Sequence, residues 1–111
     1  MKIPAVIISE DSNTIELLKL YIEEQDNFAF QSGFSDFNEA SDKISALEKS
    51  LVIVDLSAYQ EQGLNFVARI SAENKNCRII TLSDKPDIDL VIRTMRVGAS
   101  DFVTLPLIKG D

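Results

Sequence analysis

Four short runs of consecutive apolar residues limit what this chain can become: Val6-Ile7-Ile8, Leu51-Val52-Ile53-Val54, Ile79-Ile80 with Leu82, and Phe102-Val103. A strand with one face in water alternates apolar and polar side chains. A strand apolar on successive residues needs cover on both faces, as in a parallel sheet held between helices. Phe28-Ala29-Phe30, with Gly33 soon after, is a weaker fifth strand. The intervening segments carry helical periodicity. The first helix starts near Asn13, where Asn13 and Glu16 form a capping-box pattern ahead of the stripe Ile15, Leu18 and Ile22. The second starts near Asp36, with Glu39 three residues on and Phe37, Ala40, Ile44 and Leu47 at helical spacing. The third runs from about Leu64 to Ala72 and buries Leu64, Val67 and Ile70; the fourth follows Pro86 and stops at Gly98. Strand and helix alternate throughout, and crossovers between parallel strands are right-handed, so the expected fold is a three-layer, doubly wound α/β sandwich.

Length and composition narrow the function. The 111 residues suit one domain, which buries roughly two-thirds of its unfolded surface and needs no staple. Net charge is -7 and the pI is about 4.5. An acidic chain without a basic stripe has no means of displacing counterions from nucleic acid or of binding anionic lipid, so no nucleic-acid partner is expected. The chain has one cysteine, Cys77, and no histidine, which excludes an internal disulfide, a zinc site and Ser-His or Cys-His catalysis. Cys77 itself reads as an inert small hydrophobe. The apolar run from Ile3 to Ile8 is too short for a signal-peptide core, and no membrane insertion is expected, which points to the cytoplasm.

Ligands of doubly wound sheets bind beyond the carboxyl ends of the strands. In this chain those ends are Ser9-Glu10-Asp11, Asp55, Ser83-Asp84 and Leu105-Pro106. Each has a plain structural explanation as well: Ser83 as a helix cap, Glu10 and Asp11 as partners of a helix dipole, Gly98 as a helix terminator.

Together these segments resemble response-regulator receiver domains. Leu51-Val-Ile-Val-Asp55-Leu, with Gly63 eight residues beyond Asp55, is similar to the phosphoacceptor strand and its loop. The segment Gly98 to Leu107 is similar to the closing stretch, which in the family reads Gly-Ala-x-x-Tyr-x-x-Lys-Pro-Phe. Ser9-Glu10-Asp11 stands where the family has an acidic pair. The resemblance implies a flavodoxin/CheY-like sheet of order 2-1-3-4-5. It implies Asp55 as phosphoacceptor, Ser83 as the phosphate-contacting hydroxyl, and a magnesium ion held by Glu10, Asp55 and the Ser57 carbonyl, with Asp11 nearby. It also implies a cis bond before Pro106 and Phe102 as the switch aromatic, although a plain packing role suits Phe102 equally.

The departures are as informative. Ser9 replaces the first acid, Leu105 the lysine, Ala58-Tyr59 the usual Met-Pro, and Asp84 stands where a small residue follows the hydroxyl. Losing a lysine removes a charge-assisted contact of about 1.5–3 kcal/mol to the phosphoryl group. With Ser9 in place of an acid, Glu10 and Asp55 should bind magnesium only weakly, and it should not be required. The leading expectation is a pseudo-receiver: no enzyme, but a module for dimerisation, docking or localisation. Ile-Ser-Glu-Asp and Thr-Leu-Pro-Leu are similar to the N-terminal receivers of TadZ/CpaE-like pilus assembly proteins, in which an ATPase domain would lie beyond Asp111. The alternatives are a working phosphoreceiver served by a histidine kinase and a small flavodoxin-like ligand-binding domain. The chain stops soon after the fifth strand, which suggests a truncated or absent last helix and an open apolar face at Val91, Thr94, Met95, Phe102 and Val103.

Overall fold

A computed structural model describes residues 2–106. Five strands alternate with four helices: β1 (Ile3–Ile8), α1 (Ser12–Glu23), β2 (Phe28–Phe34), α2 (Phe37–Ser45), β3 (Ser50–Asp55), α3 (Gln60–Glu73), β4 (Cys77–Ser83), α4 (Ile88–Arg96) and β5 (Asp101–Thr104). All strand pairs are parallel, in the order β2-β1-β3-β4-β5, the flavodoxin/CheY-like arrangement. The expectation of a truncated last helix falls on residues after 106 and lies outside the described residues.

The consecutive apolar runs do what their pattern requires. From Leu51 to Val54 every side chain of β3 is buried, alternately into two cores. One core joins Val6, Ile8, Val52 and Val54 to Ala40, Ile44, Leu64, Val67, Ile70 and Leu90 of the helices α2, α3 and α4. The other joins Ala5, Ile7, Leu51 and Ile53 to Leu18 and Ile22 of α1. The sheet is thus the middle of three layers.

Helix boundaries differ from the sequence expectation in two places. The cap of α1 is Asp11, not Asn13: its Oδ1 accepts from Asn13 N at 2.9 Å. An acid two residues earlier wins because it sits directly after Ser9-Glu10, where the chain leaves the sheet. Helix α3 begins at Gln60, four residues before Leu64, and so includes Gly63. Gly63 is buried, and a Cβ there would collide with Leu56 Cδ2, so its role is close approach of α3 to the chain after β3. The cap of α2 is Asp36, as expected, accepting from Asn38 N at 2.6 Å.

Helix α4 ends in a left-handed turn at Gly98, φ 117°. Any side chain there also meets Ser71 of α3. Gly98→Ala should therefore cost about 1–3 kcal/mol and lower the melting temperature by roughly 4–8 °C per kcal/mol, read from thermal denaturation followed by circular dichroism. An unchanged melting temperature would show that the turn tolerates a Cβ.

Candidate functional site

Hydrogen bonds from backbone to backbone gather the strand tips. Ser9 N–H donates to Phe34 O (2.9 Å), Leu56 N–H to Leu82 O (2.7 Å) and Leu105 N–H to Ser83 O (2.9 Å). The Leu105–Pro106 bond is cis, as expected. A pocket of about 370 Å³ results, into which Glu10, Asp11, Asp55 and Asp84 bring carboxylates, while Leu17, Leu105 and Pro106 form much of its apolar wall. No lysine or arginine is among its described lining residues. The sequence-derived site residues Glu10, Asp11, Asp55, Ser57, Asp84 and Leu105 therefore meet in one place. Ser83 is buried below, its Oγ accepting from Lys85 N (3.0 Å). It does not cap α4; Asp87 does, accepting from Leu90 N at 2.7 Å.

Asp55 is half-buried, and both of its oxygens have partners. Oδ2 accepts from the Ser9 hydroxyl at 2.7 Å, and Oδ1 accepts from Ser57 N–H at 2.9 Å. Ser9 is 2% exposed and its Oγ accepts in turn from Asp11 N–H at 3.1 Å. The Ser57 hydroxyl accepts from Asp84 N–H at 3.1 Å, which ties the chain after β3 to the chain after β4. Sequence reasoning assigned Ser9 only as a missing acid. The signal for its bond to Asp55 was available, since a hydroxyl at a buried strand end needs a partner and the neighbouring strand ends in a carboxylate.

A divalent ion here would rest on few carboxylates, Glu10 and Asp55 among them, with water completing its shell. Among the described residues no three Asp, Glu, Cys or His side chains converge closely enough to hold a metal. Asp11 is committed to capping α1, and Glu10 is exposed.

A second, open groove of about 520 Å³ runs between the start of α2 and α3, beside Glu10. Phe37 and Phe66 pack there with ring centroids 5.1 Å apart, and the Arg69 guanidinium lies 5.8 Å from the Phe66 centroid. On the far side of α3, Glu61 and Arg93 of α4 form a bidentate pair at 2.7 and 2.8 Å. The bond to Arg93 holds the Glu61 carboxyl below its usual range, and Glu61 holds Arg93 above its own. Burial pushes the Cys77 thiol up, against a smaller opposing effect of Ser50.

The expected interface residues are only partly at the surface. Met95 is exposed, and Val91, Phe102 and Val103 are half-buried. Thr94 is fully buried, with its hydroxyl donating to Val91 O at 2.9 Å, and so cannot belong to an open face. Ile88 (78% exposed) and Ile92 (43%) take its place, one turn apart and in line with Met95.

The sequence matches the family described as response regulator receiver domain over residues 5–110. The chain belongs to that family. This receiver is 26% identical over 104 residues to the transcriptional regulatory protein MalR of Bacillus subtilis (strain 168), covering 94% of the chain and 44% of the relative. It is 23% identical over 106 residues to the cell cycle transcriptional regulator CtrA of Caulobacter vibrioides, covering 96% of the chain and 45% of the relative. The receiver thus spans under half the length of these relatives. Among solved structures, a response regulator from Thermotoga maritima superposes with a TM-score of 0.87 at 26% identity, covering 97% of this chain and 88% of that one. A Burkholderia pseudomallei K96243 protein described as pilus assembly-related superposes with a TM-score of 0.82 at 15% identity, over 96% of this chain and 80% of that one, a likeness of fold alone. Receiver domains of response regulators are in general signalling modules that work through other proteins. No helix among the described residues is long and apolar enough to cross a membrane.

Proposed function

We propose that this receiver works in the cytoplasm as a protein-docking or dimerisation module, with Asp55 outside any phosphoryl-operated switch. The observation that carries this is the pocket around Asp55, which gathers four carboxylates and no described lysine or arginine. A phosphoryl group on Asp55 would add negative charge beside Asp84 and Glu10 with no ammonium to receive it. Electrostatic stabilisation of the transferring oxygens is the main catalytic resource in such sites. Leu105, at the position of the family's lysine, contributes packing instead.

Docking is supported by the exposed stripe Ile88, Ile92 and Met95 along α4, beside half-buried Val91. Contiguous exposed apolar surface marks contact sites more often than isolated residues do. A second copy of the chain or another protein of the same machinery would cover it. A role in pilus assembly rests on the likeness of Ile-Ser-Glu-Asp and Thr-Leu-Pro-Leu to TadZ/CpaE-like receivers.

The test is incubation with acetyl phosphate and magnesium, followed by intact-mass measurement. The expected result is no phosphoryl adduct. An adduct that is lost in Asp55→Asn would establish the competing reading, a phosphoreceiver with a histidine kinase upstream.

A further inference from the structure

The carboxylate of Asp55 lies in a half-buried, acid-rich position, and each of its oxygens accepts a short hydrogen bond from a protein group. Its Oδ2 takes the Ser9 hydroxyl at 2.7 Å and its Oδ1 takes the Ser57 amide at 2.9 Å. Ser9 is not a loosely placed donor. It is 2% exposed, its backbone N–H is bonded to Phe34 O at 2.9 Å, and its Oγ receives Asp11 N–H at 3.1 Å. With one hydrogen accepted from Asp11, the hydroxyl's own proton points to Asp55. The relay Asp11 N–H to Ser9 Oγ to Asp55 Oδ2 therefore links the first residue ahead of α1 to the end of β3.

We infer that the Ser9 hydroxyl does structurally what a divalent cation does at an acidic strand-end cluster: it joins the tip of β1 to the carboxylate of β3 and holds Asp55 in place without a metal. The inference deepens the proposed function and rests on the reading of Asp55 as lying outside a phosphoryl switch. Two physical effects work in the same direction. A neutral side chain at position 9 withholds a negative charge that a cation would need, and among the described residues no third acid converges with the two that remain. Magnesium is also strict about geometry and gives up its water reluctantly, so displacing a buried hydroxyl for two remaining carboxylates brings it little. The tips of β1 and β3 are thus held together by protein groups alone.

Calorimetric magnesium titrations of the wild-type chain, Ser9→Thr, Ser9→Ala and Ser9→Asp test this, with the Ser57 and Asp11 amides followed by NMR. Wild type and Ser9→Thr should give no saturable heat and no movement of the Ser57 amide through millimolar magnesium. Ser9→Asp should bind magnesium at least about tenfold more tightly, as one added charged ligand predicts. Hydrogen exchange of the Asp11 amide should quicken in Ser9→Ala and return to the wild-type rate in Ser9→Thr. That second comparison decides the matter even if Ser9→Asp fails to fold. Wild type binding magnesium as tightly as Ser9→Asp, or Asp11 exchange indifferent to both Ala and Thr, would overturn the inference. Magnesium binding by wild type without labelling by acetyl phosphate would remove the hydroxyl lock and leave the docking reading standing. Labelling of wild type without a saturable magnesium site would do the reverse.

Discussion

The double variant Ser9→Asp, Leu105→Lys is expected to take up phosphoryl from acetyl phosphate, in the presence of magnesium, roughly 100- to 10,000-fold faster than the wild-type chain. Each substitution adds one charged contact to the transferring group or to its cation, and such contacts are worth about 1.5–3 kcal/mol apiece, or roughly 10- to 100-fold in rate. The site can accept them. Leu105 is half-buried at the rim of the acidic pocket, so a lysine can lay its stem along the same wall and bring its ammonium to the carboxylates. Ser9 stands within hydrogen-bond distance of Asp55, so a carboxylate there repels that of Asp55 until magnesium binds between them. The measurement is a time course of intact mass, with Asp55→Asn in the same background as the blank. A double variant as inert as wild type would shift the obstacle to Asp84, whose carboxylate also lines the pocket. A wild type as fast as the double variant would show that no cation is needed at that wall, and the docking reading would lose its main support.

Ile70→Ala should be strongly destabilising, as truncation of a fully buried core isoleucine. Ile70 is 0% exposed, at the centre of the core between the sheet and α3. Truncating such a side chain costs about 2–5 kcal/mol in transfer and cavity terms. A domain of this class has roughly 5–15 kcal/mol in total, so the loss is a large share of the stability. Urea denaturation should show a lower midpoint with an unchanged slope. Met95→Ala is the matched control: its side chain is 41% exposed, and the midpoint should barely move. Equal midpoints for the two variants would mean that α3 can settle into the space, and that the core is looser than its burial implies.

The fold was largely legible because its signals are local and strong. Val52 and Val54 face one core while Leu51 and Ile53 face the other, which is what a short, mostly β-branched apolar run in a doubly covered strand requires. The start of α3 was not legible, because Gln60, Glu61 and Gln62 are all exposed and leave no apolar period to read. That turn carries a tertiary contact instead: exposed Glu61 reaches Arg93 on α4, a pairing separated by 32 residues that no local pattern announces. The α1 cap was misread for a different reason. Asn13 followed by Glu16 satisfies the capping pattern, but Asp11 comes first and already accepts from Asn13 N–H.

The candidate site was legible as a set of strand ends and not as a bonding scheme. Asp55, Glu10, Asp84 and Leu105 could be placed at one end of the sheet from topology alone. That Ser9 donates to Asp55, and that the Ser57 hydroxyl holds Asp84 N–H, depends on side-chain rotamers that sequence spacing does not determine. Thr94 illustrates the opposite failure. Its place on α4 beside Val91 and Met95 suggested the open face, but its hydroxyl bonds back to Val91 O and the residue is fully buried.

Strand β5 is only four residues long, with exposed Asp101 and Thr104 at its two ends, and the Phe102 amide is already taken by the Asp101 carboxylate at 2.9 Å. Pro106 follows two residues later and has no amide proton to offer. A visiting strand would find few free donors and a charge in its path, which is how natural sheets discourage edge-to-edge growth. Concentrated solutions of this domain should therefore not polymerise through that margin, and a companion molecule arriving on that side must bind by the shape and greasiness of a helix rather than by lengthening the ladder.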